Sequence, residues 1–266
     1  MFRFEENKCY QMPVHFGGEE YPGPSATVSH RDVTCLTFSY QTDGSRLADF
    51  LPEGFDLLEP ELIISYFTYP GEEWLPGGYH NVISIHIPVR FDGRRDFLEG
   101  EFFLAIWENL TEAIPGGREV FGMPKIFADI SNMHCSNLKY HVSARIRGQE
   151  FLHLHLSDTT RVSGKPLEEM KGFQKKMKTI GWRYIPKVYG RGADLSQYIL
   201  YPVGFTLADA WAGSGTVTWN VPAKDVSPHQ THIFQTFADL PVISMKSAFL
   251  SKGVLEHNPG KGRVIE

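Results

Sequence analysis

Apolar and polar positions alternate along most of this chain. The run VISIHIPV, from Val82 to Val89, sets Val82, Ser84, His86 and Pro88 against Ile83, Ile85, Ile87 and Val89, the two-residue period of a strand. FLHLHLSD repeats it, with Phe151, His153 and His155 opposite Leu152, Leu154 and Leu156. DVTCLTFSY, ELIISYFTY, EFFLAIW, YHVSARI and GTVTWNV predict further strands, because β-branched and aromatic residues suit a pleated, half-buried surface. FDG at Phe91–Gly93 and RGQ at Arg147–Gln149 are turn signals, the second a hairpin tip.

Predicted helices are few. SRLADFL, Ser45 to Leu51, is short and stopped by Pro52. KPLEEMKGFQKKMK has Pro166 in its first turn, Glu168 and Glu169 early, and Lys175, Lys176 and Lys178 late. That polarity suits the helix dipole and predicts an end near Gly181. SPHQTHIF, from Ser227, predicts another helical turn or two. Strands from end to end with helices interspersed predict one α+β domain over residues 1–266, mainly antiparallel β, its sheet closed or strongly coiled.

Composition narrows the function classes. The 266 residues are 42% hydrophobic and 13% aromatic, enough for a substantial core. A net charge of −5 with no basic patch argues against nucleic acid. No signal-peptide core and no apolar run of spanning length are seen, and the three cysteines, Cys9, Cys35 and Cys135, are widely spaced. The expectation is a soluble cytoplasmic protein with reduced thiols and no membrane partner. His153 and His155, His229 and His232, and His134 with Cys135 lack a third ligand at a specific spacing, so no metal is expected. GRGAD, Gly190 to Asp194, lacks the strand-to-helix setting of a phosphate loop. No cofactor is expected either.

One stretch carries candidate chemistry. In GGREVFGMPKIFADI, Lys125 is the only charge between Val120 and Ala128. Burial favours the neutral amine of a lysine, and a neutral amine adds to carbonyl carbon. Pro124 stiffens the backbone just before it. Arg118 and Glu119 are suited to an ion pair or to a clamp on a substrate carboxylate, while Phe121, Met123 and Phe127 are core or pocket wall. On these residues alone Lys125 reads as an ordinary exposed lysine.

The segment GREVFGMPK resembles the Schiff-base lysine segment of the acetoacetate decarboxylase superfamily. HRDVTCLTFSYQTD resembles that family's arginine-bearing first strand, LPEGFDLLEP its Pro-Glu turn, and GGYHNVISIHIPV its tyrosine-bearing strand. LADAWAGSGTV and FADLPVISM are similar to its C-terminal segments. The resemblance implies a cone-shaped, mostly antiparallel β-barrel with few peripheral helices, in dimer-based homo-oligomers. It gives Lys125 the Schiff-base role, makes Arg31 the partner of the substrate carboxylate, and matches Arg118 and Glu119 to a family Arg-Glu pair.

Three departures stand beside the matches. Ile126 replaces the second lysine of true decarboxylases. Asn81 occupies the position of a catalytic glutamate, and the other family glutamate falls near Ser65 or Tyr66, so both acids are missing. Asn81 is then expected to hydrogen-bond a substrate oxygen or water, and Tyr79 or His80 to move protons. Phe121, Met123, His80, Arg118 and Arg31 complete the expected binding site. The departures favour an aldolase–dehydratase acting on a small oxo acid through a pyruvate-type enamine. Decarboxylation of a β-keto acid is the alternative, and noncatalytic binding of a hydrophobic carboxylate is an alternative of another class.

Overall fold

The computed structural model describes residues 3–20, 26–70, 79–174 and 178–266, without the side chains of residues 173 and 174. Lys175 and Lys176 of the expected lysine run lie outside the described residues. β1 (Lys8–Cys9) and β2 (Glu19–Glu20) pair with each other. The remaining strands form one sheet: β3 (Val28–Gln41), β4 (Phe55–Leu57), β5 (Glu61–Pro70), β6 (Tyr79–Asp92), β7 (Phe97–Glu108), β8 (Lys125–Phe127), β9 (Asp129–Ile130), β10 (His134–Ser136), β11 (Lys139–Ile146), β12 (Gln149–Arg161), β13 (Thr179–Pro186), β14 (Ala193–Tyr201), β15 (Val203–Trp219), β16 (Ser244–His257) and β17 (Arg263–Ile265). Its helices are α1 (Gly44–Ala48), α2 (Ala113–Glu119), α3 (Lys165–Gln174) and α4 (Thr231–Asp239).

The main path of the sheet runs β10-β11-β12-β15-β16-β3-β5-β6-β7-β13-β14-β17. Its ladders are antiparallel except where β7 meets β13 and β8. β8 pairs with β7, and β9, separated from β8 by Ala128 alone, pairs with β11. A hydrogen-bonded circuit therefore leaves β11, passes through β12, β15, β16, β3, β5, β6 and β7, and returns to β11 through residues 125–130. The segment bearing Lys125 is the seam of that circuit.

The strand period of two sorts side chains onto two faces. One face carries the main core, including Leu36, Phe38, Tyr66, Ile83, Ile85, Trp107, Leu152 and Leu154. α4 covers part of it: Phe234 stacks on Phe151 at 4.4 Å between ring centroids and on Trp107 at 6.0 Å. The other face holds a smaller cluster of Val33, Tyr69, Val82, Ile106, Met123 and Leu255, flanked by Phe67, Phe103, Phe121, Tyr201, Val203 and Phe205.

The expected hairpin forms at Arg147 and Gly148, both at positive φ, between the paired residues Ile146 and Gln149. One expectation needs correction, and one helix is unexpected. α3 is described over Lys165–Gln174, and Gly181, the expected neighbourhood of the helix end, lies inside β13. A side chain at Gly181 would place Cβ 2.6 Å from the carbonyl oxygen of Phe121, so this glycine serves a close approach and not a helix stop. α2 forms over AIPGGRE, where Pro115 and two glycines hide a helix from any propensity reading.

Candidate active site

Lys125 opens β8 beside Ile106 of β7. The carbonyl of Pro124 accepts from the Ile106 amide at 3.0 Å, and Lys125 N–H donates to the Met123 carbonyl at 2.7 Å. The loop before it is pinned to β13, where Trp182 N–H donates to the Gly122 carbonyl at 2.8 Å. From this fixed backbone the side chain reaches inward and is only 18% exposed. Its Nζ lies 2.6 Å from Oε1 of Glu108 and donates to the carbonyl of Ala113 at 3.2 Å.

Glu108 is 2% exposed and ends β7. Its second oxygen, Oε2, is 3.8 Å from Nε2 of His80, also buried. Burial pushes the Glu108 carboxyl upward, but His80 and Lys125 beside it outweigh burial and hold it below the usual carboxylate range. An amine and a carboxylate thus share a site where water is scarce and charge is costly.

The pattern repeats further along the same strands. His86 Nδ1 of β6 is 3.0 Å from Oε2 of Glu101 on β7, and His86 Nε2 is 3.4 Å from Ser65 Oγ. The two β6 histidines are six residues apart and the two β7 glutamates seven. A register shift between Ile85 and His86 absorbs the difference. The acids absent from the expected positions on β5 and β6 are thus matched by two carboxylates from β7. Sequence reading missed both, although EFFLAIWE carries them in plain view.

A second wall closes a ring of contacts around the smaller cluster. Tyr69 packs on His80 at 5.2 Å and on His30 at 5.0 Å between centroids. His30 Nε2 lies 3.1 Å from His257 Nε2, and His257 Nδ1 is hydrogen-bonded to the Tyr201 hydroxyl. Tyr201 packs on Phe121 at 4.4 Å, four residues before Lys125. Burial, then His30 and Lys125, hold the His257 imidazole down at about 4, and burial raises the Tyr201 phenol.

Of the expected site residues, Lys125, His80, Phe121 and Met123 gather here. Arg31 does not. It is exposed and lines an open groove of about 720 Å³ with Lys252, Asp209 and Glu256. Asp32, at φ 57°, kinks β3 and breaks the alternation, so His30 and Val33 take the inner face. Asn81 is buried on the face opposite His80: Tyr66 donates to its Oδ1 at 3.1 Å, and its Nδ2 donates to Asn132 at 2.8 Å. Tyr79 is 48% exposed. Arg118 is exposed, with Nη1 3.5 Å from the Lys125 carbonyl. Glu119 is half-buried, and its carbonyl accepts from Arg183 Nε at 2.5 Å. Ile126 packs against the main core. An apolar groove of about 340 Å³ between Phe102, Pro124, Trp182 and Phe237 lies nearby, and none of Lys125, Glu108 and His80 lines it. Among the described residues, no group of three or more His, Cys, Asp and Glu is arranged to hold a metal ion, and no helix is long and apolar enough to cross a membrane.

The fold and this inward lysine meet a known class. A family model for acetoacetate decarboxylase matches residues 11–261. The chain belongs to the acetoacetate decarboxylase family and is an enzyme of its Schiff-base lyase kind, which sets aside the noncatalytic alternative. It is similar to the acetoacetate decarboxylase of Burkholderia mallei, 25% identical over 249 residues, 91% of this chain and 89% of that one. Decarboxylase DEC1 of Cochliobolus heterostrophus is 32% identical over 99 residues, 37% of each protein. Among solved structures, the acetoacetate decarboxylase of Legionella pneumophila superposes with a TM-score of 0.72 at 18% identity, covering 92% of this chain and 90% of that one. The enduracididine biosynthesis enzyme MppR, complexed with pyruvate, superposes with a TM-score of 0.68 at 15% identity over 97% of each. These structural likenesses establish the fold.

Proposed function

We propose that the chain is a lysine Schiff-base carbon–carbon lyase for a small oxo acid, working as an aldolase–dehydratase. The observation that carries the reading is the 2.6 Å contact of Lys125 Nζ with the buried Glu108 carboxylate. Glu108 accepts the lysine proton, and the freed amine lone pair adds to C2 of the oxo acid. The proton returns to the hydroxyl of the carbinolamine, which departs as water and leaves an iminium. That iminium is an electron sink at C2. Loss of a proton from the adjacent methyl carbon gives an enamine, whose carbon attacks an aldehyde. Water loss and hydrolysis from Lys125 then release an unsaturated oxo acid. His80, beside the other oxygen of Glu108, orients that carboxylate. Phe121 and Met123 wall the substrate, and Arg118 steadies the backbone of Lys125. In the same proposal the chain acts as one domain over residues 1–266, in cytoplasmic homo-oligomers and without a cofactor.

Decarboxylation of a β-keto acid, in which loss of carbon dioxide from the Lys125 iminium leaves the enamine of the product ketone, is the second reading, supported by the names of the curated relatives. The aldol route is preferred on two residues. Ile126 sits where a second amine would expel the ammonium proton by repulsion; here a carboxylate receives that proton instead. Asn81 is engaged by Tyr66 and Asn132. Pyruvate offered with aliphatic and aromatic aldehydes is expected to give conjugated oxo acids, followed by ultraviolet absorbance. Carbon dioxide from acetoacetate without condensation would favour the second reading. Equal turnover in Lys125→Arg would overturn both.

A further inference from the structure

We infer that Tyr201, His257 and His30 form a proton relay between the surroundings of the Lys125 amine and the surface, with the Tyr201 oxygen as the catalytic group that exchanges a proton with the substrate carbon. The inference rests on the Schiff-base reading of Lys125 and holds for either reaction above. Enamine formation needs an acceptor for a carbon-bound proton, and enamine collapse needs a donor. Glu108 is committed to the nitrogen, 2.6 Å away. The opposite arc of the ring carries its own hydrogen-bonded chain, from the Tyr201 hydroxyl to His257 Nδ1 and from His257 Nε2 to His30 Nε2 at 3.1 Å. Tyr201 is anchored by Phe121, on the loop that presents Lys125. His257 is close enough to Lys125 for the lysine charge to act on it.

The chain moves a proton without leaving charge on its buried members. As the carbon–hydrogen bond breaks, its electron pair forms the enamine double bond and the iminium π pair returns to nitrogen. The released proton goes to the Tyr201 oxygen, which passes its own proton to His257 Nδ1. The Nε2 proton of His257 passes to His30, a half-buried ring at the outer end. His257 ends neutral with its tautomer exchanged. Burial holds the His257 imidazole in its neutral form and the Tyr201 hydroxyl protonated, which suits two groups that hand protons on and keep none. The reverse sequence returns a proton to the enamine carbon.

Exchange of pyruvate methyl hydrogens in heavy water, read by proton NMR, tests the relay beside borohydride trapping of the imine. Tyr201→Phe and His257→Ala are each expected to slow exchange by about 100-fold, with trapping held within about twofold. Exogenous imidazole is expected to restore His257→Ala by at least about tenfold, a rescue that a merely structural role would not show. If Tyr201→Phe fails to fold, His257→Ala with imidazole decides. Wild-type exchange that both variants match overturns the relay alone, as does a trapped wild type without exchange. An untrapped wild type overturns the Lys125 reading itself, and the relay with it.

Discussion

A methyl group at position 117 would lie 2.3 Å from Cδ and 2.5 Å from Cε of Lys125. Gly117, buried in α2, is therefore the space through which the lysine chain passes to reach Glu108. Alanine stabilises a helix over glycine by about 1 kcal/mol, so Gly117→Ala favours α2 while displacing the amine. The expected result is a folded protein whose imine forms about 100-fold more slowly. Trapping with borohydride after timed exposure to pyruvate checks it, and a wild-type rate would contradict the assignment.

Glu108→Gln keeps the shape and removes the charge. Imine formation is expected to slow by about 100-fold, with the thermal midpoint little changed because the amide still accepts from Nζ. Glu108→Ala leaves a buried ammonium unpartnered and is expected to cost about 3–5 kcal/mol of stability. Urea unfolding of both variants separates the two effects.

His257 sets a pH window for stability. Its folded pKa, about 4, lies below the ordinary histidine value of 6.5, so the unfolded chain binds the extra proton between those values. Stability from this group is present above about 6.5 and is lost as pH falls toward 4. Glu108, also depressed, adds a loss of the same sign at the acid end. Denaturation midpoints of the wild type should climb from about pH 4.5 to 6.5, and His257→Gln should flatten that climb. Parallel slopes would show that His257 titrates normally.

Arg31→Gln is expected to leave KM and kcat for the oxo acid within about twofold, because its side chain is on the outer face. Asn81→Leu is expected to cost about 1–3 kcal/mol of stability by taking the acceptor from the buried Tyr66 hydroxyl, with activity per folded molecule nearly kept. A tenfold rise in KM for Arg31→Gln would return a carboxylate clamp to that residue.

These contrasts mark what the string of residues reveals. The long strands β3, β5, β6, β7, β11 and β12 are readable because one face of each packs into the main core, which imposes a period of two on the residues. Lys125 is readable as inward only through the resemblance of GREVFGMPK to a Schiff-base lysine segment, since its run alone reads as that of an exposed lysine. Glu108 is not, since a glutamate closing an apolar strand looks like a surface residue, and only the β7–β8 pairing brings it to the lysine. Arg31 and His30 exchange places through one positive φ at Asp32, a local kink that alternation cannot foresee. The ring from Lys125 to Tyr201 gathers residues from β3, β5, β6, β7, β8, β14 and β16, contacts with no local signature.

The most direct measurement is the mass of each peptide after borohydride reduction in the presence of pyruvate. The account predicts one reduced pyruvate adduct, on the peptide containing Lys125, lost in Lys125→Arg and slowed in Glu108→Gln. An active preparation with no adduct at Lys125, or with the adduct on another lysine, would contradict it.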